Sequence, residues 1–301
     1  MDLEKTLRSI VSVQATIPED AFTAPILGAE RAGGGVVIRE SGVVLTIGYL
    51  ITEAEKIWLT PGNGRAVPAH ALAYDQETGF GLVQALGRLD LPALELGNSG
   101  ALEPGQPVTV AGARGQAVQA AVVSRREFAG YWEYLLDDAI FTAPAHPLWG
   151  GAGLIGPDGK LLGIGSLMLQ MASGREVQDI NMMVPIDLLK PILGDMLRYG
   201  QVQRPARPWL GIYSAENDGK VVVLDVDRRG PGAGAGLRQG DVVMDVRDQS
   251  VEGLADFYRK VWGAGPAGSE ITLRVLRAGR EMWVRVKSAD RDSFLRKPVM
   301  Q

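Results

Sequence analysis

Two histidines, His70 and His146, are the only imidazoles in this 301-residue chain, and it has no cysteine. Disulfides, thiol nucleophiles and cysteine-ligated metals are thereby excluded. Two histidines with no carboxylate at ligand spacing do not make a zinc site, so neither metal nor cofactor is expected. Base-assisted attack by an oxygen nucleophile would have to recruit His146 in a rebuilt site using Ser166 or Asp138. No spacing pairs those three, and His146 before Pro147 reads as a loop residue. His70, between Ala69 and Ala71, reads as a satisfied strand or surface histidine. The "GNSG" of residues 97–100 looks like a nucleophile turn. It runs into "ALEPGQPV", however, where Ser99 is expected to cap turn amides.

The glycine runs carry no phosphate chemistry. Gly33-Gly34-Gly35 precedes a strand rather than a helix, so it is no anion cradle. The run from Gly230 to Gly236 lacks the lysine and serine that end a P-loop, and reads as a loop into a short helical turn.

The elements that must position any chemistry are mostly strands. Between about residues 31 and 165, short β-rich runs such as Gly35-Val36-Val37-Ile38, Lys56-Ile57-Trp58-Leu59 and Pro107-Val108-Thr109-Val110 alternate with glycine-bearing turns. Many short strands at close spacing predict a sandwich or barrel. Apolar residues at helical spacing from Pro185 to Leu197, with Gly200 as a stop, predict a helix. The proline- and arginine-rich "QVQRPARP" that follows reads as a linker. Beyond it, strands are expected at 221–226 and 241–246, an amphipathic helix at 254–262, and a hairpin from 271–276 and 281–286. The charged residues after Ala289 are expected to fray.

Charged residues make up 22% and hydrophobic ones 46%, as in ordinary soluble domains, and the length suits two of them. A formal charge of −4 gives no basic field for nucleic acid. No run of about 18 apolar residues predicts a membrane span. The amino terminus has charges interrupting each apolar stretch, so the chain as written reads as cytoplasmic; one trimmed of a leader, and hence periplasmic, would read the same.

Five segments carry a family likeness: "GGGVVIRESGVVLT" (33–46), "LGNSGALEPGQPVTVAG" (96–112), "GPDGKLLGIGS" (156–166), "MMVPIDLLKPILGDMLRYGQVQRPARPWLGI" (182–212) and "GPGAGAGLRQGDVVMDVRDQSV" (230–251). In this order they resemble the HtrA/DegP family of serine proteases with a PDZ domain. The resemblance implies a mainly β protein: a chymotrypsin-like double barrel over residues 1–200, a linker at 201–207, a PDZ domain at 208–288 and a tail at 289–301. It also implies a homo-oligomer, a trimer in that family.

The same alignment puts the family's catalytic triad in doubt. Its histidine falls on Tyr49, whose phenol titrates near 10 and makes a poor proton shuttle. Its aspartate falls on Gly79, after Thr78, and a glycine cannot fix an imidazole tautomer. Its serine falls on Gly150, or on Trp149 if the loop slips by one residue, and neither attacks a carbonyl. Leu148 replaces the glycine that helps form the oxyanion hole. Trp149 reads either as a plug or as a ligand anchor.

The PDZ segment keeps more of its chemistry. Trp209-Leu210-Gly211-Ile212 falls on the family's carboxylate-binding loop, where successive N–H groups form a nest for a peptide terminus. Leu210, Ile212, Phe257 and Val261 are the expected apolar pocket. The expectation is a pseudoprotease that binds protein carboxyl termini or unfolded segments as a scaffold or regulator. The alternatives are a serine endopeptidase with an unconventional site, and a holdase chaperone using the barrel surface.

Overall fold

Short runs dense in valine and isoleucine, broken by glycine-bearing turns, close here into two six-stranded antiparallel barrels. The structure, a computed structural model, describes residues 3–173 and 176–297. The first barrel uses β1 (Ile10–Thr16), β2 (Glu30–Arg39), β3 (Val43–Ile47), β4 (Lys56–Thr60), β5 (Val67–Tyr74) and β6 (Phe80–Ala85), in the order β1-β2-β3-β6-β5-β4. The second uses β7 (Pro107–Ala111), β8 (Ala117–Gly130), β9 (Tyr134–Ala143), β10 (Gly153–Ile155), β11 (Leu161–Ser173) and β12 (Glu176–Pro185), in the order β10-β11-β12-β9-β8-β7. Branched side chains suit pleated, half-buried surfaces, and closure leaves no open sheet edge. Val44, Leu45, Leu59, Phe80 and Leu82 fill the first barrel; Val110, Ile140, Leu154 and Met183 fill the second.

A third sheet has the order β13-β14-β15-β17-β18: β13 (Ile212–Asn217), β14 (Lys220–Val226), β15 (Val242–Val246), β17 (Glu270–Arg277) and β18 (Arg280–Lys287), with β16 (Gln249–Ser250) paired to β15. The amphipathic helix Leu254–Gly263 buries Leu254, Phe257, Tyr258 and Val261. These strands and this helix match the expected positions closely.

Several expectations need correction. The apolar stretch from Pro185 is not one helix but a single turn, Ile186–Leu188, and a separate helix, Leu193–Tyr199. Pro191 lies between them; its ring blocks a continuous helix. Gly200 does stop the second piece, in left-handed conformation. The strand β1 lies before residue 31, where the expected β-rich stretch begins.

The boundaries also differ from a simple 1–200, 208–288 division. One unit runs to Arg126, resumes over Asp138–Gln203 and takes in the chain from Leu295; the other is Glu127–Asp137 with Arg204–Phe294. The tip of the β8–β9 hairpin therefore packs with the PDZ-type sheet. Among the described residues, the segment 290–297 is not frayed. Ala289 and Trp209 exchange both backbone hydrogen bonds (2.9 and 3.0 Å), and the Phe294 ring lies 5.0 Å from that of Trp209. Residues 298–301 lie outside the described residues.

Candidate functional site

The three positions on which the triad was expected to fall, Tyr49, Gly79 and Gly150, come together at the junction of the two barrels. Tyr49 sits on a 3₁₀ turn, Gly48–Leu50, directly after β3. The Gly79 carbonyl accepts from the Gly48 amide at 2.7 Å. A Cβ placed on Gly150 would stand 2.8 Å from the Tyr49 hydroxyl. The tyrosine thus occupies the space a nucleophile at position 150 would need. Its hydroxyl donates to the Ser166 carbonyl at 2.9 Å and accepts from the Trp149 indole. Burial drives its pKa far above the ordinary phenol value, so it is neither base nor nucleophile. Trp149 is half-buried and bonds Tyr49 through its indole.

Close backbone approach explains the glycines of β2. The Gly34 amide donates to the Gly150 carbonyl at 2.7 Å, and a Cβ on Gly33 would come within 2.5 Å of that same oxygen. Arg31 holds the tyrosine turn from beneath: its guanidinium donates to the carbonyls of Tyr49 (2.7 Å) and Thr52 (3.1 Å) and to the Thr23 hydroxyl (2.8 Å). Glu53 beside it accepts from the amides of Phe22 and Thr23. Sequence reasoning missed this pair, because its partners are backbone atoms that no motif encodes.

The Leu148 amide, in the segment where the resemblance expects an oxyanion hole, donates to His146 Nδ1 at 2.9 Å. His146 Nε2 meets the Gln116 carbonyl at 3.2 Å, which fixes the neutral Nε2–H tautomer. The His146 amide also donates to Asn181 Oδ1 at 2.6 Å. Burial lowers the imidazole's pKa, and both ring nitrogens are engaged. His146 lies in the loop between β9 and β10, as expected, and it is a buried structural residue there.

The remaining candidates are scattered. Asp138 is paired with Arg125. Ser166 is buried, and its carbonyl serves Tyr49. His70 lies on β5. Ser99 sits in a short turn where Asn98 caps the Gly100 amide; the Ser99 hydroxyl accepts from the distant Asp187 amide at 3.1 Å. Among the described residues no group of three or more His, Cys, Asp or Glu could hold a metal ion, and no helix is long and apolar enough to cross a membrane.

In the PDZ-type unit the amides of Leu210, Gly211 and Ile212 converge on one carboxylate, that of Glu133, at 3.0, 2.8 and 3.1 Å. Gly211 has φ +73°, and a Cβ there would lie 2.9 Å from the Gly230 Cα, so only glycine fits. Trp209 lies outside this donor set, because its amide is bonded to Ala289. Leu210, Ile212, Phe257 and Val261 are all buried in one apolar cluster, which also contains Leu135. Burial pushes the Glu133 carboxyl up to about 7, against the pull of the three amides and of nearby Arg291.

A model of the trypsin-like peptidase domain matches residues 33–164, and a PDZ domain model matches residues 208–287. A probable periplasmic serine endoprotease, DegP-like, of Halomonas elongata is 25% identical over 273 residues, covering 86% of this chain and 56% of that protein. The periplasmic serine endoprotease DegP of Escherichia coli K12 is 25% identical, with 85% and 56% covered. This chain thus spans little more than half the length of those relatives. The serine endoprotease DegS of Haemophilus influenzae is 23% identical, with 86% and 77% covered. Among solved structures, the HtrA-type protease AlgW with decapeptide superposes with a TM-score of 0.57 at 22% identity, covering 99% of this chain and 100% of that one; this establishes the fold.

Proposed function

We propose that this chain, which is HtrA/DegP-like in joining a trypsin-like peptidase domain to a PDZ domain, acts by binding polypeptides rather than by cutting them. The observation that carries the binding half is the nest itself: three successive amides already coordinate a carboxylate. That chemistry suits a polypeptide carboxyl terminus, which would extend along β13 as an added strand. Leu210, Gly211 and Ile212 supply the donors, and Phe257 and Val261 belong to the apolar wall.

Loss of proteolysis is supported by the inter-barrel junction. Tyr49, Gly79 and Gly150 offer no base, orienting carboxylate or nucleophile, and the Leu148 amide is turned to His146. Losing one oxyanion donor alone costs about 10²–10³ in kcat. The protein then serves as a scaffold or regulator; periplasmic residence follows the relatives' names, a homo-oligomer follows the family resemblance, and several PDZ modules would add avidity.

The test has two arms. A fluorophosphonate probe should leave the protein unlabelled and unfolded casein should remain intact; labelling of any serine would restore the endopeptidase reading that the relatives' names favour. Peptides with apolar carboxyl-terminal residues should bind as free acids and not as amides. Equal binding of the two forms would dispose of carboxylate capture.

A further inference from the structure

The carboxylate in the nest belongs to the chain itself. β8 and β9 are joined by the turn Tyr131-Trp132-Glu133. Glu133 has φ +58°, a left-handed conformation that three-residue hairpin loops ordinarily give to glycine. A glutamate is held there against its backbone preference, and its side chain is buried in the nest. Such an outlier points to a role for the side chain.

The turn brings the other parts of a peptide terminus as well. Tyr131, two residues before the carboxylate, accepts through its carbonyl from the Ser214 amide at 2.9 Å, in the manner of an added strand along β13. Its ring lies 6.1 Å from that of Tyr213. Leu135 joins the apolar cluster of Leu210, Ile212, Phe257 and Val261. The helix Leu254–Gly263 grips the hairpin from the other side. The Tyr258 hydroxyl donates to the Gly130 carbonyl at 2.8 Å and accepts from the Glu133 amide at 3.3 Å. The next residue, Arg259, bridges Glu127 on one arm of the hairpin and Asp137 on the other.

We propose that the hairpin tip is an internal ligand of the PDZ unit, and that a polypeptide carboxyl terminus binds there only after the tip withdraws. This rests on reading the unit as a carboxyl-terminus binder. Three amides that hold the Glu133 carboxylate cannot hold a second one, so the two ligands exclude each other. The measured dissociation constant is then the intrinsic one divided by the fraction of molecules with the tip withdrawn. Glu133→Gln keeps the shape of the plug and puts an NH2 donor where a carboxylate oxygen accepts, so the nest amides lose an acceptor. Arg259→Ala leaves Glu133 intact and releases the base of the hairpin.

The experiment uses the full chain. Fluorescein-labelled decapeptide mixtures, randomised except for valine, leucine or phenylalanine at the free carboxyl end, are titrated by anisotropy against wild type, Glu133→Gln and Arg259→Ala. Amide hydrogen exchange is followed in parallel at Leu210, Gly211 and Ile212, with Val221 and Val243 reporting that the sheet is folded. Both variants should bind at least about tenfold more tightly than wild type, and the nest amides of Glu133→Gln should exchange at least about tenfold faster while Val221 and Val243 stay protected. Equal affinity in all three proteins overturns the internal ligand and leaves carboxyl-terminus capture standing. Unchanged exchange in Glu133→Gln likewise overturns it. Faster exchange with no free-acid binding in any of the three overturns the capture reading instead, and with it the ligand named here.

Discussion

If the Tyr49 hydroxyl fills the place of a nucleophile, Gly150 and Tyr49 must be energetically coupled. Gly150→Ala adds a Cβ that would lie 2.8 Å from that hydroxyl, well inside ordinary contact, with the next ring atom at 3.7 Å. Overpacking of this kind costs about 1–3 kcal/mol. Tyr49→Phe leaves the Ser166 carbonyl without its donor and should cost a further ~1–3 kcal/mol on its own. In the double variant the methyl group meets only the ring carbon at 3.7 Å, an ordinary van der Waals distance. The double should therefore be less destabilised than the sum of the singles, by about 1–2 kcal/mol. Urea unfolding of the four proteins, followed by tryptophan fluorescence, measures this cycle. Additivity within about 0.5 kcal/mol would refute the claim that the phenol occupies the nucleophile's space.

Three further outcomes are expected. Reinstalling the triad residues together, as Tyr49→His, Gly79→Asp and Gly150→Ser, should not restore fluorophosphonate labelling, because the Leu148 amide stays on His146 and Gly79 occupies a left-handed bend at φ +83°; labelling would show that the hole is intact. Gly211→Ala should destabilise the PDZ unit by about 1–3 kcal/mol, since it combines a left-handed backbone with a clash against backbone atoms, and calorimetry with an unchanged midpoint would argue otherwise. Glu133 binds its proton more tightly in the native state, at about 7 against an ordinary 4.5, with Tyr258 and Arg291 as the titratable and charged groups facing it. Its contribution is complete below about 4.5 and lost as pH rises through 7, so wild-type stability relative to Glu133→Gln should fall across that window by about 3 kcal/mol. A pH-independent difference in thermal midpoint would contradict this.

Strands and glycine-bearing turns were readable in the sequence because period and turn chemistry are local. Positions 49, 79 and 150 were assigned from the segments flanking them, and the structure brings Tyr49 against Gly150 and Gly48 against Gly79. What escaped was set by distant partners. His146 is a loop residue as expected, but its burial was not legible because the residues that bond it, Gln116 and Asn181, lie 30 and 35 residues away. Glu133 carried no signal at all: a charged residue in an aromatic hairpin turn looks solvated until the amides 77 to 79 residues later close on it. The break between Leu188 and Leu193 was different in kind, for Pro191 was there to be read and the apolar spacing overrode it.

The intermingling of the two units, with Glu127–Asp137 packed among residues 204–294, changes how the molecule can be dissected. Cutting at the proline-rich stretch near residue 203 looks clean on paper. The carboxyl-terminal piece would start life vacant, unguarded and stripped of the leucine that completes its interior, so affinities measured on it would describe a state the intact protein rarely visits. The amino-terminal piece would be left waving a cluster of aromatic rings, Phe128, Trp132 and Tyr134 among them, and would pass for a chaperone in any aggregation assay.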